Sequence, residues 1–399
     1  MNNSDSNAPG IATDDETYWA GIAAQYAASP DFINLENGYF GMQAISVFAA
    51  FQRHQAQVNA ESAYFLRERF ASQLENVMQA LARFCGVQRS ELLLTRNLIE
   101  GMNVLLQGYP FNPGDAVVCA THDYDSVLET LEMVQQRKQL DVVHVRVPLD
   151  PDSDEQIVQL YEDAITAQTK VILVTHMVHR TGQIMPVAKI AAMARRHGVD
   201  VMVDAAHSFA QLDYQLPELD ADFVAVNLHK WLGAPLGVGA VYIRQPRIAD
   251  IAPLYGDTRT AADDIRKLAH FGTAPPAPIL NIVDALDFHQ RIGSANKEAR
   301  LRYLGQYWLD QVRGLPGVEV LTPRDPARCC AIAVFRIQGI PSAQVAQRLM
   351  AEYKIFTVVR GIEVDGGDGV RVTPHLFTQL HDLDTLVAAI RQISALGAT

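Results

Sequence analysis

"VMVDAAHSFAQLDYQLPELDADFVAVNLHKWLGAPLGVGAVYIR", from Val201 to Arg244, holds two apolar, β-branched runs that stop on polar residues. The first ends at Asp204; the second passes through Val226 to Asn227 and leads into His229, Lys230 and Trp231. Short apolar runs with few polar interruptions are expected of parallel strands covered on both faces by helices, because neither face meets water. Lys230 is the odd residue of the stretch. A lysine normally lets its ammonium snorkel into water, yet this one sits between a histidine and a tryptophan, just ahead of a glycine-rich turn.

Outward from this stretch the alternation continues. Between about residues 76 and 245, strand-like "ELLLT", "DAVVCATH", "DVVHVRV" and "KVILVTH" alternate with helical "GMNVLLQGY", "SVLETLEMVQQRKQL", "QIVQLYEDAIT" and "VAKIAAMARRHG". That order predicts a large three-layer α/β/α domain around a mostly parallel sheet. "ILNIVDALDFHQRIG" opens a helix-rich stretch, followed by "AIAVFRI", "SAQVAQRLMAEY", "IFTVVRG", "GVRVTPHLF" and a final amphipathic "LDTLVAAIRQISAL". This predicts a smaller α+β C-terminal domain. The expected divisions are an N-terminal segment, 1–45, packing with the small domain through "FINLENGYFGM", a large domain, 46–284, and the small domain, 285–399. The first dozen or so residues read as a loose tail.

A chain of 399 residues is long enough for two domains and a large core. The net charge of −12 comes from 45 acids and 33 bases spread along the chain, which argues against a nucleic-acid surface or a basic membrane helix. No secretory leader and no apolar run of membrane-spanning length is found. The four cysteines, Cys85, Cys119, Cys329 and Cys330, have no CxxC spacing. A reducing, cytoplasmic location is expected.

In open parallel sheets, ligands bind beyond the carboxyl ends of the strands. Arg96 and Asn97, His122 to Tyr124, His176 and His179, Asp204 and His207, and Asn227 to Lys230 all follow strand-like runs. A lysine amine attacks an aldehyde only when its charged form is disfavoured, by burial or by nearby positive charge. An aspartate held at depth needs a positive partner, and a protonated pyridine nitrogen serves. Together Lys230 and Asp204 describe a pyridoxal 5'-phosphate site, with Lys230 as the Schiff-base residue and Asp204 keeping the ring an electron sink. Other readings stay open on the residues alone. His176, His179, Asp204, His207 and His229 could instead converge as ligands of a metal-dependent hydrolase, and a fold can persist without catalysis. Nucleotide readings fall away, since no GxxxxGK and no GxGxxG after a strand occurs.

With "ELLLTRNLIEGMN", "GDAVVCATHDYDS", "THMVHRTGQIMPV", "FGTAPPAPIL" and "GVRVTPHLFT", the opening stretch resembles the class V aminotransferase family, in order and over nearly the whole chain. The resemblance implies the aspartate aminotransferase-like, fold type I architecture and pyridoxal 5'-phosphate as cofactor. It assigns Lys230 as the Schiff-base lysine, Asp204 as the pyridine-nitrogen partner, and Tyr124 as the aromatic residue over the ring. His207 falls near the cofactor's phenolic oxygen, and His179 among the cofactor-binding residues. Asn227 and His229 match phosphate ligands. Leu98 and Ile99 stand where the family commonly has small or hydroxylated residues, so contact there is expected through main chain at a helix start. Thr273 resembles the residue that reaches the phosphate from the neighbouring subunit, which implies a homodimer. Arg371 matches the arginine that takes the substrate carboxylate, a task suited to a bidentate guanidinium. Arg360, Asn37, Tyr64 and Arg67 are weaker candidates for lining the substrate cavity.

The resemblance is strongest to the isopenicillin N epimerase-like subgroup, through "NLENGYFGM", "ESAYFLR" and "HDYDS". The expected reaction is epimerisation or transamination of an amino acid or of an amino-acid-bearing metabolite that carries a carboxylate, with β- or γ-lyase chemistry behind them. Lys230 is the expected base at the α-carbon. Epimerisation needs a second proton carrier, for which Tyr124, His122, His179 and His375 are candidates. A persulfide-forming desulfurase needs a thiol shortly before Arg371, and "TVVRGIEVDGGDGVR" has none.

Overall fold

The computed structural model describes residues 10–270, 272–362 and 367–397. Nearly all of the expected tail lies outside them. The strands are β1 (Ile33–Asn34), β2 (Leu92–Thr95), β3 (Ala116–Ala120), β4 (Asp141–Val145), β5 (Thr169–Thr175), β6 (Asp200–Asp204), β7 (Phe223–Asn227), β8 (Gly239–Ile243), β9 (Val318–Val320), β10 (Ala333–Ile337), β11 (Ile355–Phe356), β12 (Val358–Ile362) and β13 (Gly367–Val372). The helices are α1 (Glu16–Ala23), α2 (Ile45–Tyr64), α3 (Phe70–Cys85), α4 (Leu98–Gly108), α5 (Asp125–Lys138), α6 (Asp154–Asp163), α7 (Val187–Arg196), α8 (Pro276–Ile292), α9 (Ser294–Val312), α10 (Ser342–Tyr353) and α11 (Leu380–Gly397).

Seven strands form one sheet in the order β2-β8-β7-β6-β5-β3-β4. β7, β6, β5, β3 and β4 pair in parallel, and β8 runs antiparallel between β7 and β2. Successive side chains of a strand point to opposite faces, and the core divides accordingly. Val117, Leu173, Met202 and Ala225 pack with Leu105 of α4 and Leu131 of α5. Val118, Ile172, Val203 and Val226 pack on the other face with Ile157 of α6 and Ile190 of α7. Burying each such side chain stabilises the fold by about 1.5–3 kcal/mol. This is why the strands read as continuous apolar runs, and it makes the α/β/α layering a consequence of the sequence.

A second sheet, β12-β13-β10-β9, is antiparallel throughout. Its core joins Phe335 and Val372 to Trp308 of α9, Leu349 of α10 and Ile390 of α11. Leu35 belongs to the same core, because β1 pairs in parallel with β11 and Glu36 bridges to Thr373. Residues 284 and 285 lie inside α8, whose buried Leu280, Ile282 and Leu286 belong to the large sheet's core. "ESAYFLRERF" departs from the single amphipathic helix its pattern suggests. Ser62 adopts φ 50° and a π-helical turn, Phe65–Arg69, follows, separating α2 from α3.

Candidate active site

Parallel pairing carries several strand ends to one level. Thr175 lies opposite Asp204, and Asp204 opposite Ala225, so the residues following β5, β6 and β7 emerge together beside the start of α4. Leu98, Ile99, Tyr124, Thr175, His179, Asp204, Ala206, His207, Asn227 and Lys230 line one cleft there.

Lys230 Nζ is 3.0 Å from His207 Nε2, and Trp231 Nε1 donates to His207 Nδ1 at 3.4 Å. A ring nitrogen that accepts carries no proton, so neutral His207 has its hydrogen on Nε2, directed at the lysine amine. Burial, reinforced by the charge of Lys230, holds His207 well below its ordinary range. Burial likewise brings Lys230 down to about 8; Asp204 and Glu36 oppose this, while Arg371 and Arg360 add to it. The amine is thus poised close to neutrality, as a nucleophile and proton carrier must be.

Asp204 is 2% exposed, and burial pushes its carboxyl up to about 6. Oδ1 accepts from the Ala206 amide at 2.9 Å, and no other hydrogen bond reaches the carboxylate among the described residues. A buried acid so lightly held suits a cationic ring nitrogen. At the start of α4, Asn97 caps the helix by accepting from the Glu100 amide, and the Gly101 amide bonds the Asn97 carbonyl. The Leu98 amide donates to Asn227 Oδ1 at 2.8 Å. This corrects the expected contact at Leu98, whose amide is already engaged. It leaves the Ile99 amide and Asn227 Nδ2 as donors without partners among the described residues, in a helix-start position that favours a dianion.

His229 is also placed differently from the expectation. Its Nδ1 faces the Val238 carbonyl at 3.1 Å, and its ring is not among the groups lining the cleft. Tyr124 meets His179 edge-on, with ring centroids 5.0 Å apart and planes at 82°. His179 is buried with Nδ1 unpartnered, and burial followed by Arg371 and Arg180 keeps it well below its ordinary range. His122 lies outside the cleft lining, and His375 stacks on the far side of Trp231 at 5.7 Å. The donors, acid and amine present fit pyridoxal 5'-phosphate. Ile99 and Asn227 would meet its phosphate, Asp204 its ring nitrogen and Lys230 its aldehyde.

Arg371 is 2% exposed and engaged on several sides. It donates to Glu36 Oε1 at 2.5 Å and to the His179 carbonyl at 2.8 Å. Sequence reasoning missed Glu36, although it directly precedes Asn37. Asn37 holds the N-terminal segment to Thr373, accepting from nothing there but donating its amide to Thr373 Oγ1 at 2.6 Å and Nδ2 to the Thr373 carbonyl at 2.8 Å. Arg360, Glu36 and Asn37 line a neighbouring cavity of about 850 Å³. Tyr64, the last residue of α2, and Arg67, on the π-helical turn, are exposed and line neither this cavity nor the cleft. Thr273 is exposed and lines a third cavity with Arg96 and Tyr255.

His179, Asp204 and His207 share the cleft, but among the described residues no three His, Cys, Asp or Glu side chains are placed to hold a metal ion. All four cysteines are buried free thiols outside the cleft. The loop positions 363–366, ahead of Arg371, lie outside the described residues. No helix among the described residues is long and apolar enough to cross a membrane.

The profile of the family described as Aminotransferase class-V matches residues 43–365. Isopenicillin N epimerase of Streptomyces clavuligerus is 26% identical over 389 residues, covering 93% of this chain and 97% of that protein. A cysteine desulfurase of Haloferax volcanii is 26% identical over 332 residues, 79% of this chain and 73% of that one. Among solved structures, the apo cysteine desulfurase of Thermococcus onnurineus NA1 shares the fold with a TM-score of 0.82 at 20% identity, over 94% of this chain and 98% of that chain. The chain belongs to the class V aminotransferase family, whose fold type I enzymes use pyridoxal 5'-phosphate.

Proposed function

We propose that this enzyme moves the α-proton of an amino acid, or of the amino-acid arm of a larger metabolite, as an epimerase or an aminotransferase. The observation that carries the reading is the Lys230 amine, drawn down to about 8 and held 3.0 Å from His207. Bound in the cleft, the cofactor supplies an electron sink for the substrate's α-carbon. Asp204 would face the ring nitrogen, while Ile99 and Asn227 would hold the phosphate. His207 donates toward Lys230 Nζ, and Trp231 sets the tautomer that lets it do so. Lys230 takes the α-proton on its own face. For epimerisation, Tyr124 and His179 are the candidate second proton carriers, since both line the cleft. Arg371 and Arg360 form the carboxylate end. None of the cysteines lines the cleft, which supports neither a persulfide carrier nor desulfuration through one.

The active unit is proposed to be a cytoplasmic homodimer. Tyr39, Phe40, Ile45, Phe48 and Leu236 are large apolar side chains left exposed on the single chain around one concavity, and a contiguous exposed apolar patch favours an interaction site. Thr273 is exposed, as a residue reaching a neighbour's phosphate must be. The test is incubation of holoenzyme with an amino-acid panel in deuterated water. Exchange with inversion identifies an epimerase. Keto acid with conversion of the cofactor to its amine form identifies an aminotransferase, and loss of a side-chain leaving group identifies a lyase. Holoenzyme without any α-proton exchange refutes the proposal.

A further inference from the structure

Trp231 comes directly after Lys230, and three separate contacts fix it. Its indole Nε1 donates to His207 Nδ1 at 3.4 Å, the His375 ring lies nearly parallel to the indole at 5.7 Å, and its carbonyl accepts from Lys297 Nζ. Lys297 belongs to α9, 66 residues further along the chain. It is 4% exposed, and among the described residues its amine bonds nothing but that carbonyl and has no carboxylate partner. Burial brings it down to about 7, against an opposing effect of Cys330. Burying an unpaired lysine is costly, and the one contact this lysine makes is to the backbone of the residue beside Lys230.

His207 is held independently. Gln211, 1% exposed, donates from Nε2 to the His207 carbonyl at 2.7 Å and accepts the Ala331 amide at 3.0 Å. With that backbone fixed, the reach of the indole to His207 Nδ1 depends on where the Trp231 main chain stands, and Lys297 is the one group among the described residues bonded to its carbonyl. We infer that Lys297 is a positioning residue: by anchoring the Trp231 carbonyl it keeps the indole on His207 Nδ1, and so keeps the His207 Nε2 proton directed at the Lys230 amine. The chemical consequence lies in that proton. An Nε2–H donor stabilises the neutral amine, the form that condenses with an aldehyde, and not the ammonium. Released from the indole, His207 can carry its proton on Nδ1 and present Nε2 as an acceptor, which favours the ammonium instead. Loss of the anchor therefore raises the pKa of Lys230. The inference rests on the proposed function only in taking Lys230 as the reacting amine.

The test uses the full chain without cofactor, with benzaldehyde and cyanoborohydride as the probe, and follows the label on the Lys230 peptide against pH. Lys297→Met keeps an unbranched side chain of similar length and removes the donor. It is expected to raise the Lys230 midpoint by about half a unit or more, which slows labelling at pH 7 about threefold. Lys297→Gln, whose amide stops one bond short of the lysine nitrogen, is the second variant and is expected to shift the midpoint in the same sense. Trp231→Phe removes the indole donor itself and is expected to raise the midpoint too. Combining Lys297→Met with Trp231→Phe should move it no further than the larger single change, because both break one chain of contacts. Lys297 is largely neutral where Lys230 titrates, so loss of its charge contributes little, and a charge effect would add to that of Trp231→Phe. Urea unfolding establishes that each variant is folded. A midpoint left unmoved in a folded Lys297 variant, as a purely structural role predicts, overturns the inference, and so does additivity with Trp231→Phe. Failure of deuterium exchange in the earlier experiment refutes the α-carbon chemistry and leaves these midpoints to be judged separately.

Discussion

The lowered Lys230 amine has a measurable consequence before any cofactor is bound. An ordinary lysine titrates near 10.4, so at pH 7 only about 0.04% of it is neutral. At a value of about 8, close to a tenth is neutral, roughly a 250-fold gain in the reactive form. Only the neutral amine condenses with an aldehyde, so the rate rises with pH and levels off above the pKa. Apoenzyme is to be treated with a non-titrating aromatic aldehyde, trapped with cyanoborohydride, and the label on the Lys230 peptide measured across pH 6 to about 11. The expected midpoint is near pH 8, with solvent-exposed lysines labelled around two units higher. The neighbours fix the direction of each variant's shift. Asp204→Asn removes a stabilising negative charge and lowers the midpoint, whereas Arg360→Gln removes a repelling positive charge and raises it. A Lys230 profile still rising at pH 10, or variants moving in the opposite senses, refutes the electrostatic account of the site.

Other outcomes follow from the same contacts. Glu36→Ala leaves Arg371 buried and unpaired, and should cost about 3–5 kcal/mol in urea unfolding, against little measurable change for Glu352→Ala in an exposed i,i+4 pair with Arg348. In apoenzyme, Asp204 has a folded pKa of about 6 against 3.8; its raised value means stability is lost as pH rises from about 4 to 6. That loss amounts to up to about 3 kcal/mol, so apo Asp204→Asn should be more stable than wild type at pH 7 and equal to it near pH 3, while retaining cofactor poorly; a less stable variant at pH 7 contradicts the burial argument. Gly41→Ala would set a Cβ 2.0 Å from the Lys230 carbonyl, and should deplete the visible cofactor band of purified protein with the circular dichroism unchanged; full cofactor content means the segment moves freely.

The large sheet was legible because its information is local. Each strand needs both faces covered, so Val201 to Val203 and Phe223 to Val226 are apolar without interruption, and the polar residue that ends each run marks the ligand-binding edge. Asp204, Asn227 and Lys230 were readable for that reason. The kink at Ser62 was not, since "ESAYFLRERF" keeps an acceptable helical pattern through a residue whose φ is 50°. Neither was the engagement of Leu98 with Asn227, 129 residues apart, which depends on how β7 meets the start of α4.

The same difference separates the two ends of the site. The cofactor end is built from consecutive strand termini of one sheet, and its residues carry their chemistry in short motifs. The proposed substrate end is drawn from β13, β12 and the segment after β1, with Glu36 and Arg371 lying 335 residues apart. No spacing in the sequence announces such a pair; an arginine after a strand reads as free until its acid is seen. The cofactor end could therefore be approached from sequence, whereas the Glu36–Arg371 pair is visible only once the fold has brought β13 against the segment after β1.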